Sequence, residues 1–256
     1  MLRKIALLLA ATTIVAVPIA AQNAKDGKAM PPAVGPAAAD AEFVAKLHSA
    51  LQQHPEFVLE AAQLAQQKER DRQLAAQNEK VSNLRPVLFA REAYGPVIGN
   101  PGAKTTVIEL LDYACPFCKR SHDGVDKIAD TNKDVRFVIL MRPVLGPESE
   151  VLARFALAAS LQGKFRQAHD ALYDKFGDDH QTHSTDDNLR EVATKAGVDF
   201  DRAKRDMTSD AVEKMLQKHA GIADQMGVSG TPFFVTPKGV IPGYATEEQL
   251  RAELAR

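Results

Sequence analysis

The only two cysteines in 256 residues are separated by two positions, in Cys115-Pro116-Phe117-Cys118, where a strand pattern gives way to a helix pattern. Thr105 to Leu111 reads Thr-Thr-Val-Ile-Glu-Leu-Leu, β-branched and apolar after the breaker run Gly99-Asn100-Pro101-Gly102, and predicts a buried strand. Pro116 falls where a helix tolerates proline, in its first turn, and Phe117 to Asp130 can continue that helix. Cys115 is then placed at a helix N-terminus. Unpaired backbone N–H groups and the positive end of the helix dipole favour thiolate over thiol there. The placement predicts Cys115 as the attacking nucleophile, with a pKa below about 7, and Cys118, one turn further in, as the less exposed resolving thiol. A structural disulfide and half of a zinc site are the competing readings. A bridge between residues this close removes little chain entropy, and zinc needs two further ligands where His122 is the only nearby histidine. The spacing favours a redox-active dithiol.

The first residues set the compartment. Arg3 and Lys4 supply charge, Ile5 to Val17 an apolar run, and Pro18-Ile19-Ala20-Ala21 a small-residue region, the form of an export signal over residues 1–21 with cleavage after Ala21. An uncleaved anchor is the alternative, but the run falls short of the ~20 apolar residues a span needs and contains Thr12 and Thr13. The expected mature protein is soluble and exported, in the periplasm or an equivalent oxidising compartment where a dithiol can cycle. With 32 basic and 33 acidic residues, the net charge of −1 argues against a nucleic-acid partner.

Residues 22–39, rich in Pro, Gly and Ala, read as a flexible tether. Residues 40–85 read as a helical arm: Val44, Leu47 and Leu51 recur at helical spacing, His54-Pro55 marks a break, and Phe57, Val58, Ala61, Ala62, Leu64 and Ala65 form a second apolar face. Gln66 to Lys80 is polar nearly all round and is expected to bridge through solvent. The apolar surface at the start of the arm exceeds what two short helices can hide, so the arm is expected to self-associate. Residues 86–256 read as an α/β catalytic domain. Val135 to Met141 makes a second buried strand, parallel to the first through a right-handed crossover. A helical block is inserted over about 147–220, with apolar periods at Val151-Leu152-Phe155, at Phe165-Ala168-Leu172-Phe176 and at Leu189-Val192-Ala193. A helix over Ala211 to Met226, a hairpin of Phe233–Val235 and Gly239–Ile241, and a helix over Thr246 to Leu254 complete it.

Glu109 lies six residues before Cys115 in an otherwise apolar strand. A carboxyl group buried there has a raised pKa and can exchange a proton with Cys118; strand alternation could instead turn it to solvent. His180 and His183 sit in a polar stretch read as a loop, and His48, His54, His169 and His219 are assigned no role.

The sequence of strand, Cys-Pro-Phe-Cys, helix, helical insertion and Val228-Ser229-Gly230-Thr231-Pro232-Phe233-Phe234 resembles the thioredoxin-fold, Dsb-type thiol:disulfide oxidoreductases, from about Pro96 to the C-terminus. Pro143-Val144-Leu145-Gly146-Pro147-Glu148-Ser149 and the preceding arm are similar to the ScsC group of this DsbA-like family. The resemblance implies an α/β thioredoxin fold with a cis peptide at Thr231-Pro232. It implies that Thr231, Pro232 and Phe117 meet substrate, and that Glu109 is the family's buried acid. Strongly oxidising members carry histidine where this chain has Phe117, and Thr231 matches the isomerase and reductase members, so the implied poise is less oxidising. The activity implied is a periplasmic protein disulfide isomerase or reductase. A monomeric dithiol oxidase, or a helical-arm chaperone with an incidental disulfide, is the alternative. The implied partners are misfolded or disulfide-bonded exported proteins, a membrane thiol reductase or oxidase, and further copies of the chain, as a trimer rather than the dimer that symmetry alone favours. No cofactor and no metal is expected.

Overall fold

The computed structural model describes residues 41–90, 94–177 and 182–254; the expected signal, the tether and His180 lie outside them. The chain divides into two units, residues 1–65 and 66–256. In the first, α1 (Ala41–Gln53) ends at the His54-Pro55 break and α2 (Glu56–Leu88) begins. Phe43, Val44 and Leu47 on α1, and Phe57, Val58, Leu59 and Leu64 on α2, are all exposed.

The rest of α2 belongs to the second unit. Its polar residues face solvent until about Gln77, after which Val81 and Leu88 are buried. The expected boundary between residues 85 and 86 therefore falls inside a helix. Pro86 is accommodated because it lies in the last turn, where a single backbone bond is lost. Tertiary anchors also hold the helix end: the Arg85 guanidinium donates to the Pro237 carbonyl at 2.6 Å, and the Asn78 side-chain oxygen accepts the Val240 N–H at 3.1 Å.

The second unit continues through β1 (Val97–Gly99), β2 (Thr105–Leu111), α3 (Pro116–Thr131) and β3 (Val135–Met141). Between β3 and the next strand lie α4 (Pro147–Ser160), α5 (Phe165–Phe176), α6 (Asp186–Ala196), α7 (Phe200–Asp206) and α8 (Asp210–Met226). β4 (Phe233–Val235), β5 (Val240–Pro242) and α9 (Glu247–Leu254) close the chain. The inserted block thus runs to Met226, not to about 220. Its helices begin where the side chains of Thr185, Asp199 and Ser209 accept a backbone N–H from the first turn of α6, α7 and α8.

The five strands are ordered β1-β3-β2-β4-β5, with β2 and β3 parallel and the other pairs antiparallel. β2 and β3 are buried on both faces, which is why they read as continuous apolar runs. Val107, Leu111, Phe137 and Ile139 pack toward α3 to α7, while Ile108, Leu110, Val138 and Leu140 pack toward Val81, Leu88 and the end of α8. Strand alternation places Glu109 with the first set, on the face covered by α3. There is no solvent face in this strand for it to turn to, and Glu109 is 2% exposed. Among the described residues, no helix is long and apolar enough to cross a membrane.

Candidate active site

Asp112 to Ala114 carry the chain from the end of β2 to Cys115, which is the N-cap of α3 with Pro116 in the first turn. Cys115 keeps an extended backbone (φ −89°, ψ 116°), and its carbonyl already accepts the Cys118 and Lys119 N–H groups at 3.0 and 3.2 Å. Both cysteines are free thiols; Cys115 is 5% exposed and Cys118 is fully buried. The Cys115 Sγ donates to the Thr231 carbonyl at 3.3 Å, and the Thr231-Pro232 peptide is cis. Residues more than a hundred positions apart thus meet at one sulfur.

The Cys115 thiol is lowered from its ordinary value to about 6. The largest cause is a hydrogen bond from the Cys118 thiol, which burial opposes; the Cys118 and Phe117 N–H groups and the Thr231 side chain add to the lowering. The helix end expected to set this value therefore ranks behind the second cysteine. Cys118 is pushed well above the ordinary thiol range, chiefly by burial and by its hydrogen bond with Cys115. One thiol is ready to attack and the other keeps its proton.

Behind Cys118 lies a group of buried polar side chains. Burial raises Glu109 to about 8, reinforced by the charge of Asp126, and its Oε2 has no hydrogen-bond partner. Tyr113 and Tyr173 are fully buried and held well above the usual phenol range by burial, with the charges of Glu109 and Cys118 adding to it. The Tyr113 hydroxyl meets His169 Nδ1 at 2.8 Å, and the His169 and His122 rings stack edge-on with centroids 4.8 Å apart. His122 Nε2 lies 3.3 Å from Asp126, and Arg166 pairs with Asp126 at 2.9 Å. His122, Asp126 and His169 bring metal-ligating atoms within 4.8 Å of one another. Arg166 pairs with Asp126, whose carboxyl burial still raises to about 7, and Tyr113 occupies His169 Nδ1, while His122 Nδ1 and Asp126 Oδ1 have no hydrogen-bond partner.

Phe117 points outward, 52% exposed, with the Arg120 guanidinium 5.6 Å from its ring. Beyond α2, the other exposed large apolar side chains among the described residues are Val144, Leu145 and Leu161.

The structure thus brings Cys115, Cys118 and Thr231 into contact, with Phe117 at the surface beside them and Glu109 on the inner side. The sequence reading missed the inner histidines, which come from two helices 47 positions apart and share no spacing. It also missed Asp112. That residue's signal was faint: a short acceptor side chain just past a strand end, two residues before a backbone N–H it can reach.

A family model described as a DSBA-like thioredoxin domain matches residues 106–255. Among curated proteins, the chain is 29% identical over 140 residues to the Na(+)/H(+) antiporter NhaA 3 of Salinispora tropica, across 54% of this chain and 21% of that protein. The chain therefore spans about a fifth of the length of the curated relatives it first matches. Of solved structures, a thioredoxin-like oxidoreductase from Silicibacter pomeroyi DSS-3 is 33% identical with a TM-score of 0.59, across 66% of this chain and 95% of that one. ScsC of Proteus mirabilis, in a transitional conformation, is 24% identical with a TM-score of 0.57, across 83% of this chain and 94% of that one, a likeness of fold.

Proposed function

Because the chain belongs to the DSBA-like thioredoxin domain family, we propose that it is an exported thiol:disulfide oxidoreductase that reduces and reshuffles the disulfides of protein substrates. One observation carries the reading: the Cys115 sulfur, its pKa lowered to about 6, lies 3.3 Å from a backbone carbonyl in a segment that can pair with an extended chain. The Cys115 thiolate attacks one sulfur of a substrate disulfide, forming a mixed disulfide and expelling the other substrate sulfur as thiolate. Reduction is completed when Cys118 passes its proton to the ionised fraction of Glu109 and attacks the Cys115 sulfur, which expels the second substrate sulfur as thiolate and leaves Cys115 and Cys118 bridged; Glu109 can then return the proton to that thiolate. Isomerisation follows when a substrate thiolate attacks the mixed disulfide instead, so that a new substrate disulfide forms and Cys115 leaves as thiolate. In this reading Thr231, Pro232 and Phe117 receive the substrate chain. Phe117 offers no hydrogen bond to the thiolate, which suits a less oxidising poise. A membrane thiol reductase would keep the dithiol reduced; a membrane oxidase would make the same pair a disulfide donor.

The exposed apolar residues of α1 and early α2 support self-association, with a trimer as the proposed assembly. Several dithiols would then act on one client at high effective concentration, which favours isomerisation. Insulin reduction and refolding of scrambled ribonuclease test both parts of the proposal. The full chain is expected to do both, Cys115→Ser neither, and a chain lacking residues 40–65 to reduce insulin as a monomer without isomerising. Equal activity of Cys115→Ser and the parent would leave a binding protein in place of an enzyme. A full-length chain that is monomeric at micromolar concentration would overturn the assembly.

A further inference from the structure

Asp112 is 2% exposed, yet it bonds to two loops at once. One carboxylate oxygen accepts the Ala114 N–H at 2.9 Å, and the other accepts the Val144 and Leu145 N–H groups at 2.9 and 3.1 Å. Its own carbonyl accepts the Cys115 N–H at 3.0 Å. β2 and β3 stop pairing just before this point, with the Arg142 N–H on the Leu111 carbonyl as the last rung of their ladder. Beyond that rung the two backbones part, and the carboxylate bridges them. The two carboxyl oxygens accept all three N–H groups, whereas an amide or apolar side chain of this size leaves some of them without this partner. The segment held in this way carries side chains that the core does not need, since Val144 and Leu145 are 40% and 52% exposed. The Asp112 carboxylate joins this apolar rim to the Ala114 N–H, one residue before Cys115.

We propose that Asp112 is a positioning residue for thiol exchange, whose carboxylate fixes the Val144–Leu145 rim against the Cys115 turn and so sets how polypeptide disulfides approach the attacking sulfur. The inference rests on the proposed exchange activity and deepens it. A small disulfide needs only the sulfur; a peptide disulfide also needs its flanking residues to lie on the rim. Loss of the clamp therefore penalises the peptide more than the small molecule.

The test compares a disulfide-bonded peptide of about twelve residues with glutathione disulfide as oxidants of the reduced full-length protein. Asp112→Asn keeps the shape but turns an N–H toward the backbone N–H groups it replaces a partner for. Its ratio of kcat/KM for peptide over glutathione disulfide is expected to fall about tenfold, mainly through KM, the scale of losing one or two charge-assisted hydrogen bonds. Val144→Ser with Leu145→Ser keeps every Asp112 bond and removes only the rim, so the same ratio is expected to fall by a similar factor even if Asp112→Asn fails to fold. Equal losses on both substrates would make Asp112 a structural residue alone, and an unchanged ratio in the serine variant would overturn the rim. If the parent protein oxidises with neither substrate, the exchange activity itself fails, a result distinct from either of these.

Discussion

On its outer side Cys115 meets backbone, the first N–H groups of α3 and the Thr231 carbonyl, whereas on the inner side Cys118 faces Glu109, Tyr113 and Tyr173, all buried side chains that can gain or lose a proton. Backbone dipoles cannot titrate, so the outer side has a fixed polarity: the α3 N–H groups favour an anion on sulfur, while the Thr231 carbonyl accepts from the thiol. The inner side is low in dielectric and holds protons tightly, with Cys118 above the thiol range and Glu109 near 8. Proton affinity therefore climbs from the surface inward across two residues of sequence separation. That gradient, rather than the helix end alone, makes the two thiols unequal.

The sharpest way to break this contrast is to remove the outer sulfur. Cys115→Ser is expected to bring insulin reduction down to background, and residual turnover through Cys118 would show that the inner side is open to substrate. Cys118→Ala, which leaves no donor in place of the thiol, tests whether the gradient is shared between the two sides. Its thiol supplies the largest cause of the low Cys115 value, so the Cys115 pKa, followed by thiolate absorbance at 240 nm, is expected to rise from about 6 toward the ordinary range, and mixed disulfides should accumulate. A value that stays at 6 would assign the effect to the backbone alone.

Glu109→Gln probes the inner side by itself. Resolution of the mixed disulfide should slow by about a hundredfold, the low end for loss of a positioned proton carrier, while alkylation of Cys115 is little changed. Stability gives a second readout. A folded-state pKa raised from 4.5 to about 8 contributes stability that is fully present below 4.5 and is lost as pH rises through 8. The variant's Tm relative to the parent should therefore climb between pH 5 and pH 8; a constant difference would place Glu109 in contact with water. The smallest effect is expected at Thr231→Val, which removes a side chain that lowers both thiols. One lost hydrogen bond is worth about 1 kcal/mol, so the alkylation rate at pH 6 should fall severalfold, and an unchanged rate would show that the Thr231 side chain does not act on the thiols.

The outer side was legible in the sequence because its parts are local or marked. Cys-Pro-Phe-Cys at a strand end fixes its own geometry, and Thr231-Pro232 announces itself by its proline. Glu109 could be read because it is a charge in a continuous apolar strand, and its burial follows from β2 being covered on both faces. The rest of the inner side was not legible. His122 and His169 are ordinary residues on amphipathic helices, and only the packing of α5 against α3 gives them each other. The arm was misjudged at its end for a related reason: a local breaker, Pro86, was outweighed by the tertiary anchoring of Val81, Arg85 and Leu88, which periodicity does not record.

The grip of late α2 on the hairpin has a consequence for the sheet's margin. β5 is an outermost strand, three residues long, and the N–H at its first residue is taken by Asn78 while Arg85 occupies carbonyls in the turn that precedes it. An open sheet edge is a template for any extended segment, which can anneal to it strand by strand. Here the helix has already claimed hydrogen-bonding positions at that margin. A stray extended segment thereby finds less purchase on a margin where pairing would end in a clump.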